Sequence, residues 1–222
     1  MGSEMCIRDR STTLIENSYA EGDVSGGHSA GGLVGFANNG TVVAESYTTG
    51  DVLSDGWGAG GLVGWLKNST TTNSYSAGDV SGEGNVGGLI GRAQYNSVIT
   101  NTYSSGSVIG TSSVGVLIGS VTTTTVTSSY AEGDADDDDL ISGSTNSTTT
   151  DTMTTGHITF GIRASDGNSG NMTNQHTHTA SAGNRAGGVC IGDNGIVLCT
   201  TNQTTHITLS GNIAGGVGIG GS

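Results

Sequence analysis

Proline is absent from this 222-residue chain, and only 32% of its residues are hydrophobic and 5% aromatic. So little apolar bulk excludes a conventional core and leaves two alternatives, disorder or a thin, repetitive core. Cations are equally scarce: six Lys and Arg stand against 19 Asp and Glu, for a formal charge of −13. Proteins that track phosphate backbones neutralise them with Lys and Arg, so no nucleic acid partner is expected. No apolar run approaches the roughly 20 residues needed to span a bilayer. The start also lacks the basic-then-apolar layout of a signal peptide, so no membrane insertion is expected.

Cysteine is nearly absent too. Residues Met5 to Arg10 read MCIRDR, the look of a translated sequencing-adapter scar, so residues 1–10 are set aside as an artefactual leader, and Cys6 with them. Cys190 and Cys199 remain, nine apart. They can form one bridge if their strands meet at a corner, or sit apart as small buried hydrophobes; geometry decides.

What is abundant is glycine, 41 residues of it, and it is ordered. The phrase Gly31-Gly32-Leu33-Val34-Gly35 returns at Gly60 to Gly64 and Gly87 to Gly91, and with one change at Gly115 to Gly119. A second phrase, SYAEGDV from Ser18, returns from Ser46, Ser74, Thr102 and Ser129. It carries Tyr19, Tyr47, Tyr75, Tyr103 and Tyr130, at successive intervals of 28, 28, 28 and 27. Disordered chains do not keep Leu, Val and Tyr in such register, so the chain is a folded repeat protein.

Each repeat holds three short β-type patches: the Leu-Val pair between glycines, the β-branched segment leading to Tyr, and the Gly-Asp-Val segment. Helix is excluded, since Gly recurs every few residues and no window keeps a 3.6-residue apolar period. Three patches in 28 residues fit one coil of a parallel β-solenoid, an all-β fold whose coils pair at about 4.8 Å. Equivalent residues then stack as ladders, and Leu33, Leu62, Leu89 and Leu117 should form one that points inward. Val116 replaces the second glycine in the fourth copy and Ser107 replaces the usual Asp, so that coil should bend differently or lie near the end of a block.

The acidic stretch Glu132 to Asp139 interrupts the repeat. The expected organisation is a first solenoid block over 11–135, an acidic junction loop over 136–145, and a second block over 146–222. In that block Asn146, Asn174 and Asn202 are 28 apart, as are His178 and His206. The last residues, Gly221-Ser222, follow a glycine-rich segment without a polar cap, so a longer parent chain is expected.

With GGLVG, the β-branched segment and SYxxGDV in that order, Leu14 to Asp134 resembles the GLUG-motif repeats of bacterial surface and secreted proteins. The resemblance implies a parallel β-solenoid stalk or binding surface in adhesin-like exoproteins. Similar repeats also stand beside the catalytic domain of immunoglobulin-cleaving metallopeptidases, but no HExxH occurs here. The second block carries the resemblance only through its AGGV segments.

Candidate chemistry is sparse. His176 and His178 share a strand face and His206 should lie one coil above His178, a possible metal site; but Thr204 replaces His176 in the next copy, and a solvated His ladder is the simpler reading. Asp134, Asp136 and Asp138 alternate as in a calcium loop, yet Asp139 stands where the sharp-turn Gly belongs and Thr145 where the closing Glu belongs. Threonine runs at Thr70 to Thr72, Thr122 to Thr125, Thr148 to Thr150 and Thr154-Thr155 raise an ice-binding face, although they fall at different phases of the repeat. Lys67 is the only lysine, and Asp23, Asp51 and Asp79 recur once per coil, which marks a turn or cap role and not catalysis. No catalytic, cofactor or metal residue is therefore assigned, and no enzyme activity is expected. Trp57 and Trp65, the large aromatics outside the repeat pattern, are sought first on the outer surface, although packing near a corner is the simpler role. The expected function is an extracellular or cell-surface repeat region, an adhesin stalk or a surface for a protein or glycan ligand, with end-to-end self-association possible. The alternatives are an ice- or glycan-binding solenoid, or a spacer beside an enzyme domain.

Overall fold

The computed structural model describes residues 12–133 in full and, beyond them, the strands between Asp139 and Ile219 together with Ser147. The described residues contain strands and no helix, and the strands pair in parallel as a β-solenoid. The first coil is made of Leu14–Glu16, Tyr19–Ala20, Val24–Gly26, Ala30–Gly31 and Val34–Asn38. In later coils neighbouring pieces fuse into longer strands such as Val52–Gly60 and Ile90–Thr100.

Three turns shape each coil, and they fall where the backbone enters the left-handed region. The first holds Asn17, Glu45, Asn73, Asn101 and Ser128 in successive coils, with φ from 48° to 53°. It divides the patch leading to Tyr into two strands, an inner β-branched strand and a short tyrosine strand. Asn suits this position because its short polar side chain tolerates the conformation. The five tyrosine strands and three of their counterparts in later coils form their own eight-stranded sheet among the described strands.

Inside, equivalent residues stack. Val34 pairs with Val63, Val63 with Ile90 and Ile90 with Ile118, all buried. Ile15, Val43, Thr71, Ile99 and Val126 form a second buried ladder. The expected leucine ladder is present: Leu33 N–H donates to Leu62 O, Leu62 N–H to Leu89 O and Leu89 N–H to Leu117 O, at 3.1, 2.9 and 2.9 Å. Leu62, Leu89 and Leu117 are fully buried, while Leu33, in the first coil, is partly so. The thin core also contains hydroxyls that find partners: buried Thr48 Oγ1 donates to Gly61 O at 2.9 Å, and Ser104 Oγ to Val116 O at 2.7 Å. Buried Thr71 is different, because its Oγ1 has no partner.

The paired glycines are a clearance requirement. A Cβ on Gly60 would lie 2.0 Å from Val63 O, and one on Gly61 2.2 Å from Gly88 O. A Cβ on Gly88 would likewise lie 2.1 Å from Val116 O. Val116 occupies this position in the fourth coil, and there the pairing slips: Gly115 pairs with Asp139 but Ile118 with Ile141, with a register shift between them. The slip takes the next coil out of step where a valine Cβ needs room.

Past this point the coil is shorter. Thr125 pairs with Thr148, and Thr124 N–H donates to Ser147 Oγ, a step of 23 residues. Tyr130 pairs with Met153 at the same step, before His178 and His206 return to the longer one. Asp139–Thr145, assigned by composition to the acidic junction loop, is a strand paired to both neighbouring coils, with Ile141 and Ser142 buried. Leu140 and Ile141 followed by the small residues Ser142 to Ser144 fit the close coil spacing, and this outweighs the acidic run before them. Asp134, Asp136 and Asp138 lie outside the described residues.

Candidate functional site

The outward residues of the solenoid fall into two kinds, repeated ladders and one unrepeated cluster. The aspartate ladder is the clearest of the first kind. Asp23 Oδ1 accepts from Asp51 N–H at 3.0 Å, Asp51 Oδ1 from Asp79 N–H at 2.9 Å, and Asp79 Oδ1 from Ser107 N–H at 2.7 Å. Each carboxylate thus caps the backbone of the next coil, the role its recurrence indicates. A shallow groove of about 350 Å³ runs along this ladder, with Leu53 and Ile109 exposed on it.

The tyrosines form the second ladder. Tyr19 and Tyr47 stack at 5.3 Å, Tyr47 and Tyr75 at 5.0 Å, and Tyr103 and Tyr130 at 5.1 Å, with rings within 9° of parallel. Partial burial among stacked neighbours pushes the Tyr47 phenol above its ordinary range, and the charge of Glu21 adds to it. Tyr103 is raised mainly by desolvation; its bond with Ser105 opposes this and Glu132 reinforces it. The Tyr103 hydroxyl donates to Glu132 Oε2 at 3.3 Å.

Threonine supplies a third, partial ladder: Thr72, Thr100, Thr127 and Thr150 pair in sequence, while two residues earlier Thr70, Thr125 and Thr148 share a register position with Val98. The runs as a whole keep different phases, as expected, since Thr122 pairs with Gln94, and Thr154 and Thr155 pair with Ala131 and Glu132 in the tyrosine sheet. Coil steps of 28, 27 and 23 residues align the parts that do meet. The Thr100 and Thr127 hydroxyls hydrogen-bond at 3.1 Å.

The unrepeated cluster occupies a different edge. Phe36 pairs with Trp65 and Trp65 with Arg92 in successive coils. The Phe36 and Trp65 rings lie 4.8 Å apart, and the Arg92 guanidinium sits 5.2 Å from the Trp65 ring centre. Lys67 Nζ lies 6.0 Å from the Trp65 ring and 5.0 Å from Tyr95. Of the two tryptophans, Trp57 is on the outside, 58% exposed, and its backbone N–H donates to His28 Nδ1 at 3.2 Å. Trp65 is half-buried, and its Nε1 is enclosed without a partner. Tyr95 and Arg92 escaped sequence reasoning, which followed the repeat; their departure from it was the available signal.

In the later coils His178 pairs with His206 and His176 with Thr204 along the backbone, as the spacing indicates. Cys190 pairs with Arg163 and Gly218, and Cys199 with Met172. The side chains of these residues lie outside the described residues. Among the described residues no group of three or more His, Cys, Asp or Glu is placed to hold a metal.

This geometry defines a repeat protein of the parallel β-solenoid class. The particular repeat is the GLUG motif: its family model matches residues 82–109, one period running from Gly82 through Gly87-Gly88 and Tyr103 to Ile109. The GLUG motif occurs in repeat regions of bacterial surface proteins. No curated protein and no solved structure matches the chain.

Proposed function

We propose that the chain is a non-catalytic repeat region of an extracellular or cell-surface protein, acting as an adhesin stalk or binding surface. The observation that carries this reading is the continuity of the outward ladders. Aspartate recurs in three successive coils, tyrosine in five and threonine in later ones, each at one register position, so runs of coils present the same chemistry side by side. Catalysis needs a nucleophile beside a base, or paired acids in one cleft; the aspartates here are spent on backbone N–H groups of the next coil. Antibody raised against the folded chain should label intact cells that carry the gene, and protease treatment of those cells should remove the signal. Labelling only after permeabilisation would overturn the reading.

The threonine ladder favours a second reading, a face that orders water and binds ice. Thr72, Thr100 and Thr127 place hydroxyls about 4.8 Å apart in successive coils, with Val98 interrupting the column two residues earlier. Ice grown in a concentrated solution of the chain should then be faceted; ordinary round crystals would remove this reading.

A further inference from the structure

The cluster around Trp65 differs from the rest of the solenoid in charge, repetition and backbone. Between residues 12 and 133 the chain has nine acids and two cations, Lys67 and Arg92. Both cations converge on the same aromatic group, within 6.0 Å of the Trp65 ring centre, and neither forms an ion pair among the described residues. On an acidic surface, paired cations free of carboxylate partners are a local positive spot, and they are not needed to neutralise the protein itself.

The backbone singles out the same place. Between Gln94 and Ser97 the strand pairing is interrupted by Tyr95 and Asn96, with φ of 57° and 60°. The coils directly before and after make this turn with one left-handed residue each, Asn68 and Thr123. The first coil also uses two, but they are Asn39 and Gly40, residue types that suit the conformation. A bulky aromatic residue there is strained, and strain of this kind is retained where a side chain must be aimed. The bulge leaves Tyr95 56% exposed beside Lys67.

We propose that Trp65, Lys67, Arg92 and Tyr95 form a binding site for an acidic polysaccharide of the uronic-acid type. The proposal rests on the binding-surface reading above and gives it a ligand. A sugar ring offers an apolar C–H face to the exposed Tyr95 ring, and its carboxylate takes the Arg92 fork and the Lys67 point charge. Two cations match a polymer with about one carboxylate per sugar. A nucleic acid, far more densely charged along its length, would meet the surrounding carboxylates instead. The groove along the aspartate ladder lies on other coil positions, away from these four residues.

The test is titration of the full chain with polygalacturonate, followed by tryptophan fluorescence and calorimetry, with methyl-esterified polygalacturonate and an acidic peptide in parallel. Binding should be lost on esterification and weaken as salt is raised. The double variant Lys67→Gln, Arg92→Gln should weaken it at least about tenfold, and Tyr95→Ala should weaken it with an unchanged salt dependence. Unfolding curves of each variant separate lost binding from lost fold, and Glu16→Gln, an exposed carboxylate of the first coil outside the cluster, serves as a variant expected to bind normally. Failure to bind polygalacturonate, equal binding of the ester, preference for the acidic peptide, or unaltered affinity in the double variant would each overturn the site. Surface labelling of intact cells without uronate binding would sink this proposal while leaving the binding-surface reading standing.

Discussion

On the tyrosine side of the solenoid each coil repeats the last: Tyr19, Tyr47, Tyr75, Tyr103 and Tyr130 occupy one register position and pair in sequence. At the Trp65 edge, Phe36, Trp65, Arg92 and Ser120 also occupy one register position, and no two are alike. The backbone pairs in parallel, coil upon coil, in both. Register is therefore set by residues that point inward and by glycines that permit close approach, and outward positions are free to repeat or to diverge. Where they repeat, the side chains stabilise neighbouring coils, as the aspartates do. Where they diverge while the coil stays in place, the difference has to be explained by something outside the coil.

The sharpest way to break this comparison is at the glycine seam. Gly60→Ala puts a Cβ 2.0 Å from Val63 O and 2.6 Å from Gly91 N, and should cost about 3 kcal/mol or more, or prevent folding. Gly22→Ala, with nothing within 4 Å of its Cβ, should be close to neutral; equal melting temperatures for the two would show that glycine content, and not clearance, matters. Next in size is Thr71→Val, which restores the pattern of the buried ladder by removing an unpartnered hydroxyl. It should stabilise by about 1 kcal/mol or more, and urea titration reads the shift in midpoint. Asp51→Ala deletes the acceptor for Asp79 N–H and should cost about 1 kcal/mol, the lower end because the site is exposed. A null result would mean that the aspartate ladder is decoration.

The smallest effect concerns pH. Tyr47 and Tyr103 have raised folded-state values, so the folded state holds their protons more tightly than the unfolded chain does. Stability from this source is intact below the unfolded value of about 10 and falls as pH climbs past it. Thermal melts across that range should show the decline, and Tyr47→Phe should flatten part of it.

Much of the fold was legible because one physical signal, recurrence, determines both sequence phase and stacking. The leucine ladder and the caps by Asp23, Asp51 and Asp79 follow from it, and the register shift beside Val116 falls where recurrence fails. What recurrence hides is any change of coil length. Thr125 pairs with Thr148 in the shortened coil, so a constant period misplaces the threonines, and the strand at Asp139–Thr145 disappears into an acidic run. The Trp65 cluster was legible only in part: Trp65 and Lys67 stand out by rarity, but the partnership with Arg92 and Tyr95 depends on a register and a bulge that spacing does not reveal.

The bonds from Leu33 to Leu62, Leu89 and Leu117 point from coil to coil, along the length of the molecule. That direction has a mechanical consequence. Tension applied to the two ends falls on one junction at a time, as in a zip, and does not shear all coils together. Each 28-residue coil that peels away frees about 95 Å of chain at about 3.4 Å per residue. A solenoid of this construction lengthens stepwise under load, one coil at a time.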